Sequence, residues 1–131
     1  MNSKKVRYYV PEEITKRDPE LKGKIVGMRI ESNKGNQPVV YINGVFLNPA
    51  ESLKEVSHSP DGFEWGFNGA GPAQLALAIA MEFLKTEYAL ELYNEFKNEV
   101  IVHLPEHEWA IEMFYVEQWF SDRLDAIHKK N

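Results

Sequence analysis

The sequence contains no cysteine. This excludes a disulfide framework, a zinc–thiolate finger, an iron–sulfur cluster and a thiol nucleophile, and it favours a cytoplasmic protein. Long apolar runs are missing too, because no stretch approaches the roughly 18 to 20 residues that a membrane span needs. No apolar run follows the basic N-terminal start, so the sequence predicts neither a signal peptide nor a membrane partner.

Positive charge is also scarce, since 15 Lys and Arg stand against 20 Asp and Glu and leave a net charge of −5. The distribution is uneven. Residues 1–60 carry ten basic and seven acidic side chains, whereas residues 61–131 carry five and thirteen. Nucleic acid is therefore disfavoured as a partner, most strongly for the second half of the chain.

What remains is a chain of 131 residues that is 44% hydrophobic and 27% charged, which is typical of a folded domain of ordinary size. We predict a single domain over residues 1–131, with a strand-rich part (1–57), a glycine-rich loop (58–72) and a helical part (73–131). The order of these patterns predicts an α+β fold, in which an N-terminal antiparallel sheet of three or four strands packs against three C-terminal helices.

The clearest local pattern predicts a β-hairpin. Asn43-Gly44 separates the apolar runs 39–42 and 45–47 and suits a two-residue type I′ turn. This register places residues 40, 42, 45 and 47 on one face and 39, 41 and 46 on the other. Both faces are apolar, so either both are covered or one is open to a partner. Further strands are predicted at 6–10 and 24–31.

Helices are predicted after the hairpin. Asn48 to Glu51 form a capping-box pattern that starts a short helix ending near Val56. The segment 73–84, opened by Pro72, is apolar on nearly all sides and predicts a central buried helix. A second long helix is predicted over 87–102. A third is predicted to start at Pro105 and to carry an apolar stripe, namely Trp109, Met113, Val116, Phe120, Leu124 and Ile127.

The loop 58–72 holds the first candidate site. Its glycines permit positive φ and lead directly into the predicted buried helix, whose N-terminal amides could hold an anion. The candidate ligand-binding residues are Glu64, Trp65, Gly66, Asn68, Gly69, Gly71 and Gln74. The alternative is structural: the glycines let a tryptophan-bearing turn pack over the helix, and Gln74 bonds the loop backbone.

The same residues carry a resemblance. The string from Gly62 to Gly66, followed by Gly69-Ala70-Gly71-Pro72-Ala73-Gln74-Leu75-Ala76-Leu77-Ala78-Ile79, resembles the signature of a family of small domains of unknown function found in bacteria, archaea and phages. Tyr93, Phe96, Trp109 and Trp119 fit its pattern as well, so the resemblance covers most of residues 38–121. It implies no catalytic residues, and it implies a phage-related or mobile-element accessory role.

One string in the sequence resembles a metal-binding motif. His103 to His107 read H-x-x-E-H, which matches one class of zinc peptidases. Chemistry of that class requires both histidines on one helical face, and Pro105 separates them. The sequence therefore predicts no metal site, no cofactor and no catalytic residue.

A stripe of acidic residues is the second candidate surface. Glu87, Glu91, Glu95 and Glu99 recur every four residues and share a helical face, which is either solvated or a docking surface for a basic protein. The leading functional hypothesis is a non-enzymatic interaction module with an unidentified protein partner. The alternatives are a nucleotide- or phosphate-binding protein that uses the loop at 66–71, and an acidic inhibitor that mimics nucleic acid.

Overall fold

The computed structural model describes residues 21–33 and 35–129, so the strand predicted at 6–10 lies outside the described residues. The α+β prediction is confirmed by a four-stranded antiparallel sheet followed by helices. The elements are β1 (Lys24–Ser32), β2 (Gly35–Ile42), β3 (Val45–Phe46), α1 (Ala50–Glu55), α2 (Ala70–Phe83), α3 (Thr86–Glu99), a 3₁₀ turn (Ile101–His103), β4 (Trp109–Glu112) and α4 (Met113–Lys129).

The predicted hairpin forms with its predicted register. Asn43 and Gly44 both have positive φ, at 55° and 79°, as a type I′ turn requires. Ile42 lies opposite Val45, and the rings of Tyr41 and Phe46 meet edge-on. The asparagine also ties the turn to the start of β1, because its Oδ1 accepts a hydrogen bond from the Gly23 amide at 2.8 Å.

The strands lie in the order β3-β2-β1-β4 and present apolar side chains on both faces. The inner face packs on the helices through residues that include Ile25, Val40, Ile42 and Leu47. The outer face holds a smaller cluster around Val39 and Tyr41. Both sets agree with the alternation read from the hairpin, except that Val45, at the rim of the inner face, is exposed.

The fourth strand corrects one prediction. The helix expected to start at Pro105 begins at Met113, because residues 109–112 pair as β4 with Lys24–Gly27 of β1. The spacing of Trp109 and Met113 fits a helix, but residues 109–112 alternate between side chains that face the core and side chains that face solvent. Trp109 and Ile111 face the core whereas Ala110 and Glu112 are exposed, which is the period of a strand.

The central helix is α2, which is buried from Pro72 through Ala80. It starts three residues earlier than predicted, at Ala70, so Pro72 lies in the first turn, where its missing N–H costs no helical hydrogen bond. The next helix, α3, is shorter than the predicted 87–102, and the rest of that segment is a 3₁₀ turn. The short helix α1 forms after the hairpin, but its N-cap is Pro49 and not the predicted Asn48. The Asn48 Oδ1 accepts a hydrogen bond from the Ala50 amide just before the helix.

Candidate functional site

An open groove lies where the β1–β2 hairpin extends past β4. β1 pairs with β2 as far as Ser32 but with β4 only as far as Gly27. Beyond Gly27, β1 therefore has no neighbouring strand on the β4 side, and inner-face side chains such as Arg29 lie beside loops. The groove has a volume of about 560 Å³ and is lined by Arg29, Asn36, Glu64, Trp65, Gly66, Phe67, Glu106 and His107. We call it the Arg29 groove.

Arg29 is the centre of its polar wall. Both terminal guanidinium nitrogens donate to the Glu64 carboxylate, at 3.0 and 3.1 Å, in the forked geometry that arginine and a carboxylate favour. Its Nε donates to the Glu106 carbonyl at 2.8 Å. The guanidinium also lies over the indole of Trp65, 4.5 Å from the ring centroid. Four contacts thus hold one side chain in a single orientation.

Trp65 forms the floor behind that arginine. Its side chain is almost fully buried and meets Trp109 edge-on, with the ring centroids 5.4 Å apart. The indole Nε1 donates to the same Glu106 carbonyl, at 2.9 Å. One backbone oxygen therefore links the tryptophan of the glycine-rich loop to the arginine of β1.

Gly66 lets the loop turn beside the 3₁₀ segment. Its φ is +87°, in the region that favours glycine, and its amide donates to the Ile101 carbonyl at 3.1 Å. A Cβ at this position would lie 3.0 Å from the Leu104 carbonyl oxygen. The turn then leaves Phe67, the next residue, 51% exposed at the groove.

The seven candidate ligand residues do not lie in one site: three of them line the groove and four do not. Glu64, Trp65 and Gly66 line the groove, whereas Asn68 is exposed and outside its lining. Gly69 and Gly71 lie at the start of α2, and a Cβ on Gly71 would lie 2.6 Å from the Cβ of Glu64. Glycine at 71 therefore serves the close packing of Glu64 on the helix start.

Gln74 is fully buried on α2 and bonds the chain that precedes the loop. Its Oε1 accepts from the amides of His58 and Ser59, at 2.7 and 3.0 Å. Its Nε2 donates to the Ser52 hydroxyl and the Val56 carbonyl, at 2.9 and 3.0 Å. These four bonds use the hydrogen-bonding capacity of the amide within the protein.

The acidic stripe is exposed but partly neutralised. Arg123 on α4 donates to Glu95 at 2.9 Å and to Glu99. Its guanidinium lies over Trp119, whose Nε1 donates to Glu99 as well. Burial lowers the pKa of Arg123, but the hydrogen bond to Glu95 and the charge of Glu99 outweigh it, so the pKa is raised. Among the described residues, Glu87 and Glu91 have no such cation.

The H-x-x-E-H string spans two elements. His103 ends the 3₁₀ turn, whereas Glu106 and His107 lie in the connection to β4. The string therefore does not share one helical face, and its second half contributes to the Arg29 groove through the Glu106 carbonyl and the position of His107.

Five groove residues were missed from the sequence: Arg29, Asn36, Phe67, Glu106 and His107. One signal could have found the first. The inner face of β1 runs Ile25, Gly27, Arg29, and a charged residue that continues an apolar face needs a partner of opposite charge. The partner is Glu64, which is 35 residues away along the chain.

Comparison with known proteins adds a family but no activity. The model of a family of unknown function, DUF6166, matches residues 25–122, which include every residue that lines the groove. No curated protein and no solved structure matches the chain. In the described ranges, no helix combines the length and the apolar character needed to cross a membrane.

Proposed function

The chain belongs to this family of unknown function, and we propose that it is a non-enzymatic interaction module that binds an extended segment of a partner protein in the Arg29 groove. One observation carries the proposal: a fixed Arg29–Glu64–Trp65 wall stands beside a half-exposed phenylalanine at an open groove. Arginine and aromatic side chains are enriched at protein interfaces, and a wall that is already ordered loses little entropy on binding.

The charges of the groove favour a neutral or basic partner. Arg29 directs Nε and both terminal nitrogens into the protein, so its charge is largely satisfied. Glu64 is neutralised by Arg29 in turn, so the remaining carboxylate of the described lining is that of Glu106, and the exposed Glu31 and Glu108 lie nearby along the chain. A phosphate or nucleotide would meet more carboxylates than free cations here. A lysine or arginine of a partner would meet the complementary field.

A nucleotide or phosphate ligand at the loop 66–71 has less support from the geometry. The Glu64 side chain packs against Gly71 in the first turn of α2, where an anion would have to approach. The acidic stripe also has less support as a docking surface, because Arg123 already binds Glu95 and Glu99.

The proposal is tested by panning a displayed random-peptide library against the immobilised chain and measuring the enriched peptides by fluorescence anisotropy. We expect enriched peptides that carry Lys or Arg, and we expect Phe67→Ala to weaken their binding about tenfold or more, which corresponds to about 1.4 kcal/mol. Phe114→Ala is the matched control, because Phe114 is another exposed phenylalanine but lies outside the groove lining.

Three outcomes would contradict the proposal. The first is a selection that enriches no binding peptide. The second is a set of peptides that bind Phe67→Ala as tightly as the unaltered chain. The third concerns the acidic stripe. A double charge reversal, Glu87→Lys with Glu91→Lys, should leave groove binding unchanged, and a loss in that variant would favour the acidic stripe instead.

A further inference from the structure

We infer that the partner segment binds as an added β-strand on the open edge of β1, antiparallel to it and in line with β4. The inference rests on the proposed function, because it specifies how the segment in the Arg29 groove is held. The occupant is a basic extended segment of a partner protein.

The register fixes which backbone groups of β1 face outward. The Asn43 amide donates to the Lys24 carbonyl at 2.8 Å, so the backbone groups of even-numbered β1 residues point to β2. Pro38 agrees with this assignment, because it has no N–H and lies opposite Arg29, which is odd-numbered. The N–H and C=O groups of Arg29 and Glu31 therefore point to the side on which β4 lies.

β4 does not reach those groups. Its last pair with β1 joins Gly27 and Trp109, and the chain before Trp109 turns toward the inner face, where the Glu106 carbonyl meets the Arg29 side chain. Among residues 21–33 and 35–129, no backbone group bonds the outward N–H or C=O of Arg29 or Glu31. This part of β1 is thus an open edge, paired on its other side with β2, and such edges accept additional strands.

An added strand would also use the groove. A residue opposite Arg29 or Glu31 has its side chain on the inner face of the sheet, the face on which the groove opens. A lysine or arginine opposite Glu31 would form a cross-strand pair with an exposed carboxylate. The backbone then supplies affinity, while the groove and Glu31 select the side chains.

The test removes the outward-pointing backbone N–H of Glu31 by substitution with proline. Glu31→Pro removes this donor and leaves the β1–β2 hydrogen bonds in place, because Glu31 and Asn36 form a pair without backbone hydrogen bonds. With a peptide selected against the unaltered chain as the probe, we expect Glu31→Pro to weaken binding at least tenfold. Glu31→Gln, which keeps the N–H and removes only the charge, should weaken it about threefold. Thermal unfolding of each variant checks that the sheet is retained.

A second measurement does not depend on the variants. N-methylation of the peptide, one residue at a time, should weaken binding at alternate positions, because only every second residue of an added strand bonds β1. The amide protons of Arg29 and Glu31 should gain protection from solvent exchange in the complex.

Failure of the inference and failure of the proposed function can be told apart. If Phe67→Ala loses binding but Glu31→Pro and every N-methyl peptide bind normally, the groove binds without strand addition and the inference is overturned. If Phe67→Ala binds normally, the proposed function itself fails. A chain that is dimeric in solution and becomes monomeric in Glu31→Pro would show that a second copy occupies the edge, which also overturns the inference.

Discussion

The indole of Trp109 occupies the place where a side chain at residue 27 would lie. A Cβ added to Gly27 would fall 2.5 Å from the indole Nε1, closer than packed atoms approach. These residues are also the last pair of the β1–β4 ladder. The absence of a side chain at Gly27 thus leaves room for the Trp109 indole, which contacts Trp65 behind the groove.

We expect Gly27→Ala to destabilise the fold by about 1 to 3 kcal/mol, because the added methyl group must displace a buried ring in a packed core. Urea unfolding measures the change. In a Trp109→Leu background the same alanine should cost clearly less, since the ring that it displaces is gone. An equal loss of unfolding free energy in the two backgrounds would show that the Trp109 ring is not the reason why residue 27 must be glycine.

We expect Gln74→Leu to destabilise the protein by about 2 to 4 kcal/mol. The substitution leaves the amides of His58 and Ser59 without their acceptor and the Val56 carbonyl without its donor, and buried polar groups that lose their partners are costly. Gln118→Leu is the matched control on an exposed helix face and should change the free energy of unfolding by less than about 0.5 kcal/mol. Similar values for both variants would contradict the role given to Gln74.

We expect Glu64→Gln to destabilise the protein by about 1 to 2 kcal/mol, because it removes the charge that faces the mostly buried Arg29 guanidinium. Solvent screening keeps the loss in this range, since the Glu64 side chain is 35% exposed. Glu51→Gln, in the exposed pair with Lys54, is the control and should have little effect. Chemical denaturation of the two variants at one salt concentration gives the comparison.

We expect Tyr93→Phe to cost about 1 kcal/mol, because the Tyr93 hydroxyl is 2.7 Å from Nε2 of His58 and the pair is half-buried. The ring contact between the two side chains stays in this variant, so the measured loss reports on the hydrogen bond. Tyr115→Phe, at an exposed tyrosine, should be neutral. A neutral Tyr93→Phe would mean that water replaces the hydroxyl without loss.

The hairpin and the buried helix could be predicted because neighbouring residues in the sequence determine them. Asn43-Gly44 favours a two-residue turn between the apolar runs on either side, and the nearly continuous apolar segment after Pro72 favours burial. β4 was missed because a four-residue strand has too few residues to compete with the helical spacing that continues through Met113. It exists because β1 offers a free edge, which is a property of the tertiary structure.

The candidate site was predicted only in part for the same reason. Glu64, Trp65 and Gly66 stand out because an unusual loop surrounds them. Arg29 and the Glu106 carbonyl come from distant parts of the chain. The apolar face of β1 marks Arg29 as a charge that needs a partner, but nothing near it in the sequence identifies Glu64 or the Glu106 carbonyl as that partner. Contacts between such segments follow from how β1, the loop and the connection to β4 pack together, so the sequence pattern alone does not contain them.

The pairing of β1 with β4 has a consequence for biosynthesis. Lys24 lies opposite Glu112, so β1 leaves the ribosome before its partner β4, and the helices α1 to α3 emerge between them. Until then the inner face of β1 and the Gly27 position lack Trp109, and the early hairpin exposes apolar surface that has no cover. Pairing over so long a stretch of chain also slows folding. A nascent chain arrested before Trp109 should therefore depend on chaperones more than the finished protein does.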